Sequence, residues 1–455
     1  MSALSNVTNP LRGPGLGTAA SELGHDQAVQ TARGERAFAA GDRLMFLSNE
    51  RSNLASLIFQ EVSRKPKLAS LVIANADGEK RRKIHKPIKR EFLRLTVPDS
   101  SSPVPGHVYI NAIATAVPNH DVHYAFTGWA TEQVADPRQR TLFRRMADRA
   151  GIEHRWSVLT AAPGGGSPVA PGGFYGAGSP PTSVRMQVYA DAAPALALDA
   201  IRGLEIGAVT HLVVASCTGF IAPGIDQVIA AELGLDAGVE RTLVGFMGCY
   251  AAVAALRTAY HIVRSEPDAR VLVVTVELST LHLQFDTALE PLLAMLQFGD
   301  GAAAALVTSE PAGFAIHHPF AAALANTDEL IRWTIGDTGF TMHLDGEVPA
   351  RFATALGDEA VRARMFAGME PEKVDCWAVH AGGRSILDAV ERTLALPPSA
   401  LAASRDVLRR YGNMSSSTLM FVLAELLHQP DHRNGIALAF GPGLAAEGFH
   451  IARAA

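Results

Sequence analysis

The chain has 455 residues, 48% hydrophobic and 19% charged, enough to bury a large core across two fused subdomains. Its net charge of −5 gives no global argument for nucleic-acid binding, so no nucleic-acid partner is expected. Its three cysteines, Cys217, Cys249 and Cys376, show no metal-ligand spacing, so neither a disulfide framework nor a metal site is expected. With no apolar run near the ~18 residues of a membrane span, a cytoplasmic protein is expected, with peripheral membrane contact at most.

In chain order, residues 1–105 stand apart. Gly, Ser, Ala and charge dominate, with short apolar patches at Leu54–Phe59 and Leu68–Ala74 and a basic run over 80–94. The composition is that of a disordered, solvated N-terminal extension, weighed against a segment that binds an anionic surface. Ser100-Ser101-Ser102-Pro103-Val104-Pro105-Gly106 reads as a linker.

Thr210–Ser216 then reads as a buried strand, Gly245–Cys249 as a tight turn, Tyr250–Val263 as an apolar helix and Val271–Val276 as another strand. The order returns as Val374–His380, Tyr411-Gly412-Asn413, Met414–Leu427 and Ile436–Phe440. Cys249 and Asn413 lie 164 residues apart, and the two stretches align at that offset without a gap. A period this long, occurring twice, indicates a duplicated α/β unit rather than a solenoid. The halves, 106–310 and 311–455, are expected to form mixed sheets around buried central helices whose N-termini meet at the centre.

The repeat keeps structure and changes chemistry. Cys249 lies where a helix N-terminus offers unsatisfied N–H groups and a positive dipole end, which favour thiolate. His380 ends a buried strand before Ala381-Gly382-Gly383, where an imidazolium can stabilise that thiolate. Asn413 reads either as a helix cap or as a side-chain donor, and with His380 it would make an oxyanion hole. No obvious carboxylate polarises the His as a base. The set therefore suits thioester exchange and stabilisation of the enolate left when a malonyl thioester loses CO2, in an apolar, water-poor pocket near Phe298.

Gly248-Cys249, Phe298-Gly299-Asp300-Gly301, Val379-His380-Ala381-Gly382-Gly383, Tyr411-Gly412-Asn413-Met414-Ser415-Ser416 and Phe440-Gly441-Pro442-Gly443 resemble the type III polyketide synthases, the chalcone and stilbene synthase family of the thiolase superfamily. The resemblance covers about 107–455 and implies a thiolase-like fold, a homodimer, acyl-CoA and malonyl-CoA as substrates and no separate cofactor. It implies that Cys249 carries the chain, that His380 and Asn413 bind the thioester carbonyl, and that Phe298 is a gatekeeper. Arg145 and Arg149 would hold CoA, with Leu142 where a third cation is usual. Cys217, Phe220, His282, Trp333, Met342 and the Gly441-Pro442-Gly443 backbone would line the cavity. Met342 replaces a second gatekeeper aromatic, and Trp333 replaces a small residue. The Val276–Gln284 stretch is similar to bacterial alkylresorcinol and alkylpyrone synthases, so a fatty acyl starter is expected. A carrier-protein-dependent 3-oxoacyl synthase III and a papain-like cysteine hydrolase are the competing readings.

Overall fold

The computed structural model describes residues 107–161 and 166–454 in full and, ahead of them, the backbone of four strands. The chain divides into two compact units, Met1–Ser102 and Pro103–Ala455. In the first, Ala28–Gln30, Arg36–Ala40 and Arg43–Leu47 pair antiparallel, and Ser70–Ile73, from the second apolar patch, runs parallel to the third. The expected disorder of 1–105 otherwise falls outside the described residues, as does the basic run over 80–94.

The second unit is built on nine strands: β1 (Val108–Ala116), β2 (His211–Ser216), β3 (Glu240–Gly245), β4 (Val271–Leu278), β5 (Asp300–Thr308), β6 (Phe314–Ala323), β7 (Cys376–Val379), β8 (Asn434–Gly441) and β9 (Ala445–Arg453). They form one sheet in the order β7-β8-β9-β6-β1-β5-β4-β2-β3. In the first half β2 and β4 are parallel and β5 returns antiparallel to β4. The second half repeats this, with β7 and β8 parallel and β9 antiparallel to β8. The duplication read from the 164-residue offset is therefore a duplication of strand pairing. The halves join where β6 pairs with β1, Phe314 opposite Ile110 and Ile316 opposite Val108.

Each half sends one helix into the core. The Ala251–Ser265 helix buries a run of small residues, Ala251, Ala252, Ala254, Ala255 and Ala259, which lets it approach β2 and β4 of its own half and β9 of the other. The Ser417–Leu427 helix is apolar on nearly all sides, as a helix enclosed on every face must be, and packs on β7 and β8 as well as β1 and β5. It starts three residues later than expected because Asn413–Ser416 form a turn. The Ser415 N–H donates to Asn413 Oδ1 (2.8 Å), the Met414 N–H donates to Thr418 Oγ1 (2.8 Å), and Ser415 has φ +48°. None of the helices described is long and apolar enough to cross a membrane.

Candidate active site

Cys249 sits in a single 3-10 turn, Gly248–Tyr250, that leads into the Ala251–Ser265 helix. Gly248 has φ +78°, and a Cβ there would lie 2.3 Å from Pro442 Cδ, so only glycine fits. A Cβ on Gly441 would lie 2.6 Å from the Tyr250 ring and 3.3 Å from Cys249 N. Gly441 and Pro442 thus press on the back of the Cys249 turn, and neither they nor Gly443 belong to the cavity wall described below. Cys217 supports the turn from the other side: its sulfur accepts the Gly248 N–H at 3.0 Å.

The second turn reaches the first directly. Ser415 Oγ is 3.7 Å from Cys249 Sγ. The Asn413 carboxamide has a fixed orientation, because Oδ1 accepts the Ser415 N–H while Nδ2 donates to the Gly382 carbonyl at 3.2 Å. Gly382 in turn lies against the His380 imidazole, so close that a Cβ on it would be 3.4 Å from Nε2. The Asn413 turn therefore links the Cys249 turn to the loop that carries His380. His380 is 2% exposed, and neither ring nitrogen has a partner among the described residues.

Burial governs the charges. It pushes the half-buried Cys249 thiol up, against the downward pull of the Ser415 hydrogen bond, and it drives the fully buried His380 imidazole down to about 3. A standing imidazolium, as the sequence suggested, is thus disfavoured. Burial thus favours the neutral thiol and the neutral imidazole.

A carboxyl absent from the sequence-level site lies close by. Glu277, fully buried in β4, accepts from Ser416 Oγ, the Cys217 N–H and Thr218 Oγ1, and burial raises it to about 7. Its signal was hidden: a single Glu within Val271–Leu278 looks like the polar residue of an ordinary strand.

Phe298 is joined to Asn413 through the backbone. The Asn413 N–H donates to the Gln297 carbonyl (2.7 Å) and the Gly299 N–H to the Asn413 carbonyl (3.0 Å). On its far side opens a cavity of about 240 Å³, walled by Phe126, Leu159, Met295, Phe298, Trp333 and Met342 among others. Trp333 is pinned, its indole N–H donating to the Cys217 carbonyl at 2.9 Å. His282 also faces the cavity but is held: Nε2–H donates to the Thr218 carbonyl (2.7 Å), Nδ1 accepts the Phe340 N–H (3.0 Å), and its ring stacks on Phe340. Cys217 and Phe220 are not among the lining residues. Phe220 departs most from expectation: it is 42% exposed and leans on Phe246, because Gly219 is wedged against the Tyr189 ring and the chain turns outward after it.

Arg145 and Arg149 lie on the exposed side of the Pro137–Arg149 helix, which Asp136 caps by accepting the Arg138 and Gln139 N–H groups. Leu142 and Met146 are exposed beside them, at 45% and 43%. Asp375, Cys376 and His432 gather at the start of β7. There the Asp375 carboxylate accepts the Arg433 and Asn434 N–H groups and His432 Nε2 meets Gln429 Oε1, so the group ties down a loop.

Residues 100–311 match the chalcone and stilbene synthases, N-terminal domain, and residues 315–454 the C-terminal domain of the same enzymes. The chain belongs to the chalcone and stilbene synthase family. It is 35% identical over 281 residues to the alpha-pyrone synthesis polyketide synthase-like Pks18 of Mycobacterium tuberculosis, spanning 58% of this chain and 72% of that protein. It is 34% identical over 352 residues to the 1,3,6,8-tetrahydroxynaphthalene synthase of Streptomyces peucetius subsp. caesius, covering 74% of this chain and 91% of that one. Among solved structures, PKS-I from the brown alga Ectocarpus siliculosus superposes with a TM-score of 0.69 at 29% identity, over 76% of this chain and 98% of that one. As a type III polyketide synthase, the protein condenses malonyl-CoA iteratively with an acyl-CoA starter. Its family draws on CoA thioesters alone, with no separate cofactor.

Proposed function

We propose that this synthase loads a fatty acyl starter on Cys249, extends it with malonyl units and releases an alkylpyrone or alkylresorcinol, the pyrone being favoured by the likeness to the alpha-pyrone enzyme. The observation that carries this reading is the meeting of Cys249, the Asn413 turn and the His380 loop, joined through Phe298 to an apolar cavity that Met342 also lines. In the loading step a proton passes from Cys249 to His380, the thiolate attacks the starter thioester and CoA leaves as the thiol. His380 Nε2–H and the second Nδ2–H of the Asn413 carboxamide then hold the malonyl thioester oxygen as CO2 departs. The resulting enolate attacks the acyl-cysteine carbonyl, forming a carbon–carbon bond and freeing the Cys249 thiolate. Met342, unbranched and flexible, leaves a route for an alkyl chain that an aromatic ring would obstruct.

CoA would be held through its phosphates by Arg145 and Arg149. A cytoplasmic homodimer fits the exposed edge strand β3, where Leu243, Phe246 and nearby Phe220 are 43%, 36% and 42% exposed. The catalytic body would divide at 310, with Cys249 in one half and His380 and Asn413 in the other.

The test is mass spectrometry of products from a panel of acyl-CoA starters with malonyl-CoA and no carrier protein. Long-chain starters should give tri- or tetraketide pyrones or resorcinols. A strict need for carrier protein would move the protein to the 3-oxoacyl synthase reading, and amine release from peptides to the hydrolase reading.

A further inference from the structure

We propose that Arg155 is a positioning residue for the condensation, setting the Phe298 gate and the Asn413 turn in register with each other. Arg155 is 2% exposed and lines the same cavity. Its Nη1 donates to two carbonyls on the segment that ends at the gate, Phe298 at 2.9 Å and Met295 at 3.1 Å. Its aliphatic stem lies on the turn that presents Asn413: a Cβ on Gly412 would be 2.9 Å from Arg155 Cγ and 2.8 Å from the Gln297 carbonyl. One side chain thus touches Phe298 and Gly412, the residue before Asn413, on the two sides of the Phe298–Asn413 bridge.

The surroundings hold Arg155 in place from three directions. Its Nε–H donates to His123 Nδ1 at 3.1 Å, and its guanidinium carbon sits 4.6 Å from the centre of the Phe126 ring. The neighbouring backbone is stapled to the helix leading into Gly412, with the Glu153 and His154 N–H groups on the Arg409 carbonyl and the Trp156 indole on the Arg410 carbonyl. Asp300, two residues beyond the gate, accepts the Val158 N–H at 2.9 Å.

Fold stability alone is a poor account of this arrangement. Among the described residues no carboxylate is bonded to the guanidinium, and Nη2 has no partner. A buried cation with an unmet donor is costly, and an apolar residue of similar length would fill the space without that cost. What an apolar residue cannot do is hold two carbonyls through Nη1 and His123 through Nε on one rigid plane while its stem fixes Gly412.

The proposal rests on the roles given above to Asn413 and Phe298, and the experiment separates the two. In the full-length protein, Arg155→Lys, Arg155→Met and Arg155→Ala are compared for Cys249 alkylation stoichiometry, starter KM, malonyl-CoA decarboxylation and product distribution. Alkylation should stay at one per chain and starter KM within about twofold, while decarboxylation falls roughly 10- to 100-fold in the Met variant, as expected for misplaced groups. Early-released short products should rise relative to full-length ones. Lys should recover part of the loss, and added methylguanidine should restore Arg155→Ala several-fold through the cavity that the side chain lined. Equal loss in every readout, in proportion to the alkylatable fraction, would assign Arg155 to folding alone and overturn the proposal, as would a Met variant with unchanged products. If Asn413→Ala leaves decarboxylation intact, the reading of the site fails instead, whatever Arg155 does.

Discussion

The Cys249 turn and the Asn413 turn are built alike and braced from opposite halves. Gly248, in the first half, has φ +78° and is pressed by Pro442 of the second; Gly412, in the second, has φ +69° and is pressed by Gln297 and Arg155 of the first. Each half therefore completes the other's turn, and the pseudo-twofold is visible in the steric contacts as well as the strand order. The difference lies one residue further on, where one copy offers a thiol and the other a carboxamide. A duplicated backbone can specialise by changing the residue after the glycine while leaving the brace intact.

The sharpest way to separate the two turns is to remove each working side chain. Cys249→Ala should abolish chain extension, a loss on the order of 10³-fold or more in turnover by radiolabelled malonyl incorporation. Asn413→Ala should cost ~10²- to 10³-fold in decarboxylation while Cys249 still accepts an acyl group, seen as a mass shift of the intact protein. His380→Gln should slow iodoacetamide alkylation of Cys249 at neutral pH by roughly 10-fold or more, because the thiol loses its proton acceptor.

The shared brace is tested by adding one methyl to either turn. Gly248→Ala and Gly412→Ala each force a side chain into left-handed backbone and into a neighbour, with an expected loss of about 2–4 kcal/mol in urea unfolding. Equal losses would support a symmetrical brace; a negligible loss at one site would break the symmetry.

The smallest expected effect concerns Glu277. Its carboxyl titrates at about 7 in the folded protein against an ordinary value of 4.5, so the native state binds the extra proton between those values. Stability from this group is present below about pH 4.5 and declines as pH rises toward 7. Glu277→Gln should flatten that part of the Tm-against-pH curve.

The sequence revealed most where patterns were long. Two strand-turn-helix-strand runs, in register at 164 residues, announced a duplicated α/β unit and the approach of the Cys249 and Asn413 turns, but not that both copies join one nine-stranded sheet with mainly antiparallel pairing. It was silent where depth depends on a single contact. Nothing local tells that Phe220 turns outward because Gly219 is caught on Tyr189, or that Glu277 and Arg155 lie within reach of the site. The charge state of His380 was also out of reach, since it follows from the removal of water by residues far away in the chain.

The pairing of β6 with β1 has a consequence for how this enzyme meets substrates of different length. A ladder of backbone bonds runs across the boundary between the halves, leaving no hinge about which they can open like jaws. Accommodation of a longer starter must then come from rotamers along the cavity wall, with Met342 the most adaptable, so a shift in product spectrum should need only a few exchanges of side chains on an unmoving frame.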